Sequence, residues 1–389
     1  MNLAEVLKPW TEIALEQIPD AEIFDAHTHI GQNDPDGMRQ TLEELLAGLE
    51  LAGARGAFVF AMHEPEGYPN ANDRVIDAAL GTDGVLIPFC RVNPHVDPLP
   101  EAERCLARGA RGIKLHPRAE QFTLDHPEVR KLVALAHERT LPVLIHAGRG
   151  IPALGLHAVQ LAESYPNARL ILAHAGICDL SWIWRVAPDL PNLLFDIAWW
   201  IPADLQSLFS LVPPGQILFA SDAPYGSTPF ALSFQLRSAV QVGLGPEQIR
   251  SIASEQALRL ATGEPLEPAG PAIGERERAP HLLLDRVAEF LLLSTIAAMR
   301  GGDPTETLAL ARLACDVPEE IDDAPLFSAI LELLDAFDAY SAEHPDDRRR
   351  LSLLILAATV ARTPEVPIPE RAAELSPGFA PRSAAAPPA

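Results

Sequence analysis

GIKLHPRAEQFTLDHPEVRKLVALAHERTLPVLIH, residues 112–146, decides the fold. It opens with a short apolar run that ends in a histidine, GIKLH at 112–116, and closes with another, PVLIH at 142–146. Between them, 127–139 carries apolar residues three and four positions apart, the spacing of a helix with one buried face. A strand, a helix and a strand of these lengths make a parallel pair joined by a crossover helix. Outward from this unit the same alternation predicts strands at 22–29 (EIFDAHTH), 56–62 (GAFVFAM), 86–92 (LIPFCRV), 169–174 (RLILAH), 192–196 (NLLFD) and 217–222 (ILFASD). Helices are expected at 41–52, 100–110 and 246–261. Eight such units close a (β/α)8 TIM barrel of the α/β class, for which ~250 residues suffice.

Downstream the pattern changes. Residues 262–280 hold seven Pro or Gly in 19 positions and show no apolar period, so the barrel is assigned to 1–265 and a linker to 266–280. Helix-like segments at 279–300, 304–315, 324–343 and 346–361 make a small all-helical module, 281–363, in which Asp303 precedes Pro304 as a helix start. The remaining tail, 364–389, has seven Pro in 26 residues and little to bury, and is expected to be disordered.

The 389 residues are 48% apolar and 21% charged, the composition of a folded globular chain. Its 53 acids against 30 bases leave a net charge of −23, which repels phosphate backbones and anionic lipid headgroups. Nucleic acid and membrane surfaces are disfavoured as partners on that ground. Cys90, Cys105, Cys178 and Cys315 stand too far apart for a CxxC zinc knuckle or a disulfide framework, and fit a reducing cytoplasm. The N-terminal stretch has charges every few residues and no signal-peptide core, and the longest apolar run, 290–299, is too short to span a bilayer. A cytoplasmic protein acting on a small molecule is the expectation, with the helical module as a surface for homo-oligomerisation.

In a barrel of this kind the active site lies where the strands end. The first strand ends in His27 and His29, whose spacing of two puts both on one face. Lys114 and His116 close the fourth, His146 the fifth, His174 the sixth and Asp222 the eighth. Taken singly, each histidine reads as a satisfied core residue and Asp222 as a helix cap. Taken together at matching strand ends they read as a metal site. Imidazole and carboxylate donors suit zinc first, with iron, manganese and nickel open. An ion there brings the pKa of its water to about 7 and supplies hydroxide as nucleophile, while Asp222 both ligates and takes the proton.

Lys114 stands out because the chain uses 27 Arg and only three Lys. An ammonium inside the barrel beside a cation meets desolvation and like-charge repulsion, both of which favour the neutral amine. That amine can take up CO2 to become a carbamate able to bridge two ions. The alternative is an unmodified Lys114 that hydrogen-bonds substrate or a carboxylate. His116 shares its face and is a competing contact to metal or substrate, so one ion or two remain open. Asp222, His174 and His116 form the expected catalytic set. For substrate binding, Arg149 and, less so, Arg118 follow ligand motifs and could clamp a carboxylate or else pair with surface acids. Trp199 or its neighbour Trp200 should face the mouth, as stacking surface or as packing, and Tyr225 could donate to a developing oxyanion. His63 and His95 read as loop residues without a role.

The motifs DAHTH at 25–29, GIKLHP at 112–117, LIHAG at 144–148, LILAHAG at 170–176 and FASDAPYG at 219–226 together resemble the amidohydrolase superfamily, in its amidohydrolase-2 branch, over residues 20–262. The resemblance implies His27 and His29 as ligands of one metal, His146 and His174 as ligands from the fifth and sixth strands, and Asp222 as ligand and general base. It further implies that a lysine at the place of Lys114 is often carboxylated to bridge two metals. Members without that lysine keep one metal, and several are decarboxylases or hydratases. The helical module has no counterpart in the resemblance. The expected function is a metal-dependent hydrolase of a C–N or C–O bond in an amide, cyclic amide, lactone or ester. A non-oxidative decarboxylase or hydratase on the same scaffold is the alternative, and a non-catalytic barrel serving as a platform is the second.

Overall fold

The computed structural model describes residues 2–148, 154–276 and 279–370. Eight parallel strands, β1 (Phe24–Ile30), β2 (Gly56–Ala61), β3 (Leu86–Arg91), β4 (Gly112–Leu115), β5 (Pro142–Ile145), β6 (Arg169–Leu172), β7 (Leu193–Asp196) and β8 (Ile217–Leu218), pair in sequence order. The segment after β8 returns to β1 through Ala26 N–H to Phe219 O (2.9 Å), Asp222 N–H to His27 O (2.9 Å) and His29 N–H to Ala223 O (2.8 Å), which closes the barrel. Helices Pro69–Leu80, Pro98–Arg108, Pro127–Arg139 and Pro202–Leu211 each start on a proline, whose missing N–H would have no partner in a first turn anyway. The barrel axis is filled by Phe24, Phe58, Phe60, Phe89, Leu144, Ile171, Leu194 and Leu218, all at most 2% exposed. Outside the sheet, Ala57, Val59 and Ala61 pack with Leu45, Leu49 and Val75 of the surrounding helices.

β1 departs from simple alternation. Its register against β2 shifts by one residue between Asp25 and Thr28, a bulge. Ala26 still packs with the axial cluster, and the extra residue lets His27 and then His29 face the axis too. Without it, period-two alternation from Phe24 and Ala26 would place His27 on the outer face.

Three elements differ from expectation. β8 is only two residues long, because 219–223 leaves strand geometry to pair across the β1 bulge and turns at Asp222. The helix expected over 246–261 is interrupted by a π-helical turn, Ser251–Glu255, where the Ile252 carbonyl accepts the N–H of Phe219 (2.8 Å). Thr228–Val242 is a helix with no sequence signal, being buried on nearly every side and so lacking an apolar period.

The chain divides into two compact units, one of Ala14–Pro280 and one combining Met1–Ile13 with His281 onward. Residues 1–13, counted with the barrel in the sequence reading, thus group with the helices. In the barrel unit, Gln256 ties the turn-rich segment down: its Nε2 donates to Gly215 O and to Glu267 O (2.6 Å), and its Oε1 accepts the Glu267 N–H (3.1 Å). The helical unit holds Leu282–Met299, Thr305–Ala314, Ala324–Glu343 and Leu351–Arg362, the last buried over residues 351–361. Asp303 accepts the Thr305 N–H (2.9 Å), so the helix begins one residue later than Pro304. Among the described residues no helix is long and apolar enough to cross a membrane. Most of the proline-rich tail, 371–389, lies outside the described residues.

Candidate metal centre

The sheet register brings the site residues to one face. Arg91 pairs with Lys114, Lys114 with Leu144, and Asp196 with Leu218, so these side chains point to the axis, and His116 and His146 follow two positions on. Nε2 of His27 lies 3.2 Å from Nε2 of His29, and each lies 3.1 Å from Oδ1 of Asp222. Lys114 Nζ is 3.2 Å from the same His27 nitrogen. In a second group, His146 Nδ1 is 2.8 Å from His174 Nε2. Donor atoms of His27, His174 and Asp222 all lie within 4.8 Å of one another. His27, His29 and Lys114 are buried, whereas the Asp222 side chain keeps 19% of its surface open.

Acceptors behind the rings decide which nitrogen faces the centre. His27 Nδ1 lies 2.7 Å from Asp196 Oδ2, His174 Nδ1 2.8 Å from Ala198 O, and His29 Nδ1 3.4 Å from Ala61 O. Each Nδ1 is therefore the N–H donor and each Nε2 turns its lone pair inward. Two lone pairs and the Asp222 carboxylate then stand mutually in contact, a repulsive arrangement that a cation among them would relieve. Four ligands ~2.0–2.1 Å from a zinc ion sit ~3.4 Å apart in a tetrahedron, close to the spacings here. His146 Nε2 is buried and has no hydrogen-bond partner among the described residues. The donor set fits a divalent ion.

The balance of burial and charge points to the same demand for positive charge. Burial and Lys114 push His27 down, yet Asp222 and Asp196 together outweigh them and raise it. Burial would raise Asp222, but the charge of His27 beside it holds it well below the ordinary carboxylate range, as a cation at the centre would. Burial takes His29 down to about 3 and lowers His116, His146 and His174, so these four imidazoles are neutral. The backbone is strained at two of these residues. His174 and Asp222 adopt left-handed φ values of 59° and 60°, a conformation costing ~1–3 kcal/mol in a residue with a Cβ, less for Asp. Asp196 Oδ1 holds the first by accepting the His174 N–H (2.9 Å), and the His27 carbonyl holds the second.

The sequence profile of the family described as Amidohydrolase matches residues 24–260, more than half of the chain. The chain belongs to the amidohydrolase family. This is a family of enzymes, typically metal-dependent, that act on small molecules. No curated protein matches the sequence. Among solved structures, this amidohydrolase is similar to a 2,6-dihydroxybenzoate decarboxylase (14% identity, TM-score 0.52, covering 62% of this chain and 98% of that one). It is also similar to a 5-carboxyvanillate decarboxylase from Sphingomonas paucimobilis (14%, 0.50, 62% and 99%). A third is an uncharacterized TIM-barrel protein from Bordetella bronchiseptica (15%, 0.50, 62% and 99%). At these identities the likeness is one of fold.

Around this cluster, the amidohydrolase places its other expected residues unevenly. His116 stacks flat on His146, with centroids 3.9 Å apart and 11° between planes. Its Nδ1 accepts the Ala119 N–H (3.1 Å), leaving Nε2–H as a donor. Trp199 is buried 6.5 Å from the His174 ring with its indole N–H on Asp204 (2.7 Å), and half-buried Trp200 lies 6.0 Å from it. Tyr225 stands edge-on to His29 at 5.7 Å, but its O–H donates to Asp34, so that proton is already engaged. Arg149 lies outside the described residues, Arg118 is exposed, and His95 is exposed with Nε2 3.3 Å from Gln121 O. Two clefts of about 420 and 680 Å³ around residues 245–270 adjoin the segments leading into β1 and β8 and contain no histidine or cysteine.

Sequence reasoning passed over Asp196 and Arg91, each a charged residue closing an apolar run. Arg91 is fully buried: Nη2 donates to Glu120 Oε1 (2.7 Å) and Nη1 to Ala61 O (3.3 Å), the carbonyl that His29 also faces. Asn72 grips its backbone in both directions (2.9 and 3.0 Å), and Tyr68 stacks on the guanidinium while donating to Glu120. The signal was the same strand-end position that flagged the histidines.

Proposed function

We propose that this chain is a metal-dependent hydrolase that cleaves a C–N or C–O bond of an amide, cyclic amide, lactone or ester in a small molecule. Lys114 carries the reading. It is wholly buried against Phe60, 3.2 Å from a ligand nitrogen, and burial, with the Arg91 charge adding to it against Asp222 and Asp196, brings its amine down to about 7. Near neutral pH a large share is free amine, which reacts with CO2 by forming an N–C bond and losing a proton. The product is an anionic oxygen donor where an ammonium would repel a bound cation. The two donor groups, His27 with His29 and Asp222, and His146 with His174, support a centre of two ions.

A divalent ion, zinc first by this donor set, supplies Lewis acidity toward a carbonyl oxygen and lowers the pKa of water. The residues of the chain do the rest. Asp222, anionic and open toward solvent, takes the proton of the attacking water and returns it to the leaving nitrogen or oxygen. His116 offers Nε2–H to the oxyanion that develops. Trp199, fixed by Asp204, excludes water beside His174 and leaves Trp200 as the apolar contact for substrate. Placement in the cytoplasm and self-association through the helical unit belong to the same proposal.

A second reading has an observation of its own. Because donor atoms of His27, His174 and Asp222 fall within 4.8 Å of one another, one ion could reach all three, with Lys114 left as a cation. That arrangement suits a decarboxylase or hydratase, in which Lys114 pairs with a carboxylate and Asp222 delivers a proton to carbon. Two of the structural neighbours are named as decarboxylases. Elemental analysis together with a substrate panel tests the choice. Two ions per chain and turnover of lactones or cyclic amides support the hydrolase; one ion and CO2 release from aromatic carboxylic acids overturn it.

A further inference from the structure

One carboxylate that belongs to no motif reaches three groups of the centre. Asp196 closes β7 and is completely buried. Its Oδ2 meets His27 Nδ1 at 2.7 Å, and its Oδ1 accepts the N–H of His174 (2.9 Å) and of Ala198 (3.1 Å). Ala198 in turn accepts the His174 Nδ1–H at 2.8 Å. A single side chain therefore spans β1, β6 and β7. We propose that Asp196 is a positioning residue that presets the metal centre: it selects the His27 tautomer with its lone pair inward, and it holds the left-handed turn that aims His174. The proposal rests on the metal-centre reading of the site.

The chemistry requires an acceptor at that place. A neutral imidazole carries one N–H, and a ring with its proton on Nε2 has no lone pair to give an ion at that atom. A buried anionic oxygen 2.7 Å from Nδ1 draws the proton there, the usual device by which outer partners orient ligating histidines. The other oxygen does separate work. The His174 N–H takes this side-chain oxygen, rather than a strand carbonyl, as its acceptor, and without Asp196 it would be buried with no acceptor. The same holds for the Ala198 N–H, whose residue supplies the carbonyl that sets the His174 tautomer. Losing this one carboxylate would release both rings at once.

Asp196→Asn separates the two tasks. Asparagine has nearly the same shape, and its one carbonyl oxygen can still accept the two backbone N–H groups. Its amide nitrogen then faces His27 Nδ1 as a donor, so the imidazole must accept there and carry its proton on Nε2. A residue that merely filled space would tolerate this exchange.

The test uses metal-stripped full-length protein at alkaline pH, titrated with Zn2+ and observed by long-range 1H–15N correlation of the histidine rings, with folding checked by circular dichroism. Wild type should show His27 protonated on Nδ1. Asp196→Asn should show it on Nε2 and bind Zn2+ ~10–100-fold more weakly while keeping its fold. Asp196→Ala, which also strands two backbone donors, should bind more weakly still. Unchanged Zn2+ affinity in Asp196→Asn overturns the proposal, as does weakened binding with the His27 proton still on Nδ1. Should that variant fail to fold, the wild-type spectrum decides alone: a His27 proton on Nε2 overturns the proposal and one on Nδ1 supports it. Wild-type protein that binds no divalent ion refutes the metal-centre reading instead, an outcome distinct from ion binding that is indifferent to Asp196.

Discussion

Replacing Lys114 with methionine should make the metal-free protein more stable and the enzyme worse. In the unfolded chain the amine titrates at its ordinary 10.5; folded, it is brought down to about 7, chiefly by burial. Between those two values the unfolded chain holds a proton that the folded chain has released, so stability rises with pH across that window. The penalty is complete below about 7 and gone above 10.5. At ~1.4 kcal/mol per decade of proton activity, three and a half decades amount to ~5 kcal/mol, an upper figure that local relaxation brings down to ~2–5 kcal/mol. Methionine is of similar length, has no charge to bury and fits beside Phe60. Urea unfolding of metal-stripped wild type and variant, at neutral pH and at about pH 10, reads the difference directly. The variant should unfold at higher urea when neutral, and the gap should shrink as pH rises because the wild type gains stability. Parallel pH profiles, or a variant no more stable than wild type at neutral pH, would refute the reasoning. Metal content and turnover should fall in the same variant, which trades activity for stability.

Other perturbations follow from the same geometry. A Cβ at Gly148 would sit 3.0 Å from His146 Cε1 and Nε2 and from His174 Cδ2. Ordinary contact is ~3.5 Å and metal–ligand distances tolerate only ~0.2 Å, so Gly148→Ala should weaken ion binding while shifting unfolding by no more than ~1 kcal/mol; unchanged metal content would be the contrary result. Asp222→Asn should reduce turnover more than metal occupancy, and an equal loss of both in elemental and kinetic assays would mark Asp222 as a ligand only. Ending the chain at Pro265 removes the Gln256–Glu267 bonds and the Gly274 N–H to Ser210 O bond (2.9 Å), so it should melt lower than a chain ending at Pro280. Equal melting temperatures would show that segment 266–276 contributes nothing.

The candidate donors, the strand-end histidines and Asp222, are visible in the sequence because strand-end position is a local property: an apolar run of four or five residues announces where it stops, and the residue that stops it faces the mouth. The same signal is present in NLLFD and LIPFCR, where Asp196 and Arg91 close their runs. What those two do is not legible there. Asp196 meets His27 across 169 residues of chain, and Arg91 meets Glu120 across 29, through contacts that exist only once the barrel has closed. The helix Thr228–Val242 escapes for the opposite reason: it is buried on nearly every side, Ser233, Gln235, Arg237, Ser238 and Gln241 included, so no apolar stripe marks an inner face.

The sequence by itself therefore determines the barrel, the set of donor residues and the acidity that disfavours polyanionic partners, all consequences of periodicity, position and composition along the chain. Only the tertiary structure decides which nitrogen of each imidazole faces inward, which rings share a carboxylate, and that an added residue in β1 turns His27 to the axis. These depend on acceptors brought from distant strands and on desolvation at the barrel centre. Neither exists until the eight strands have closed around them.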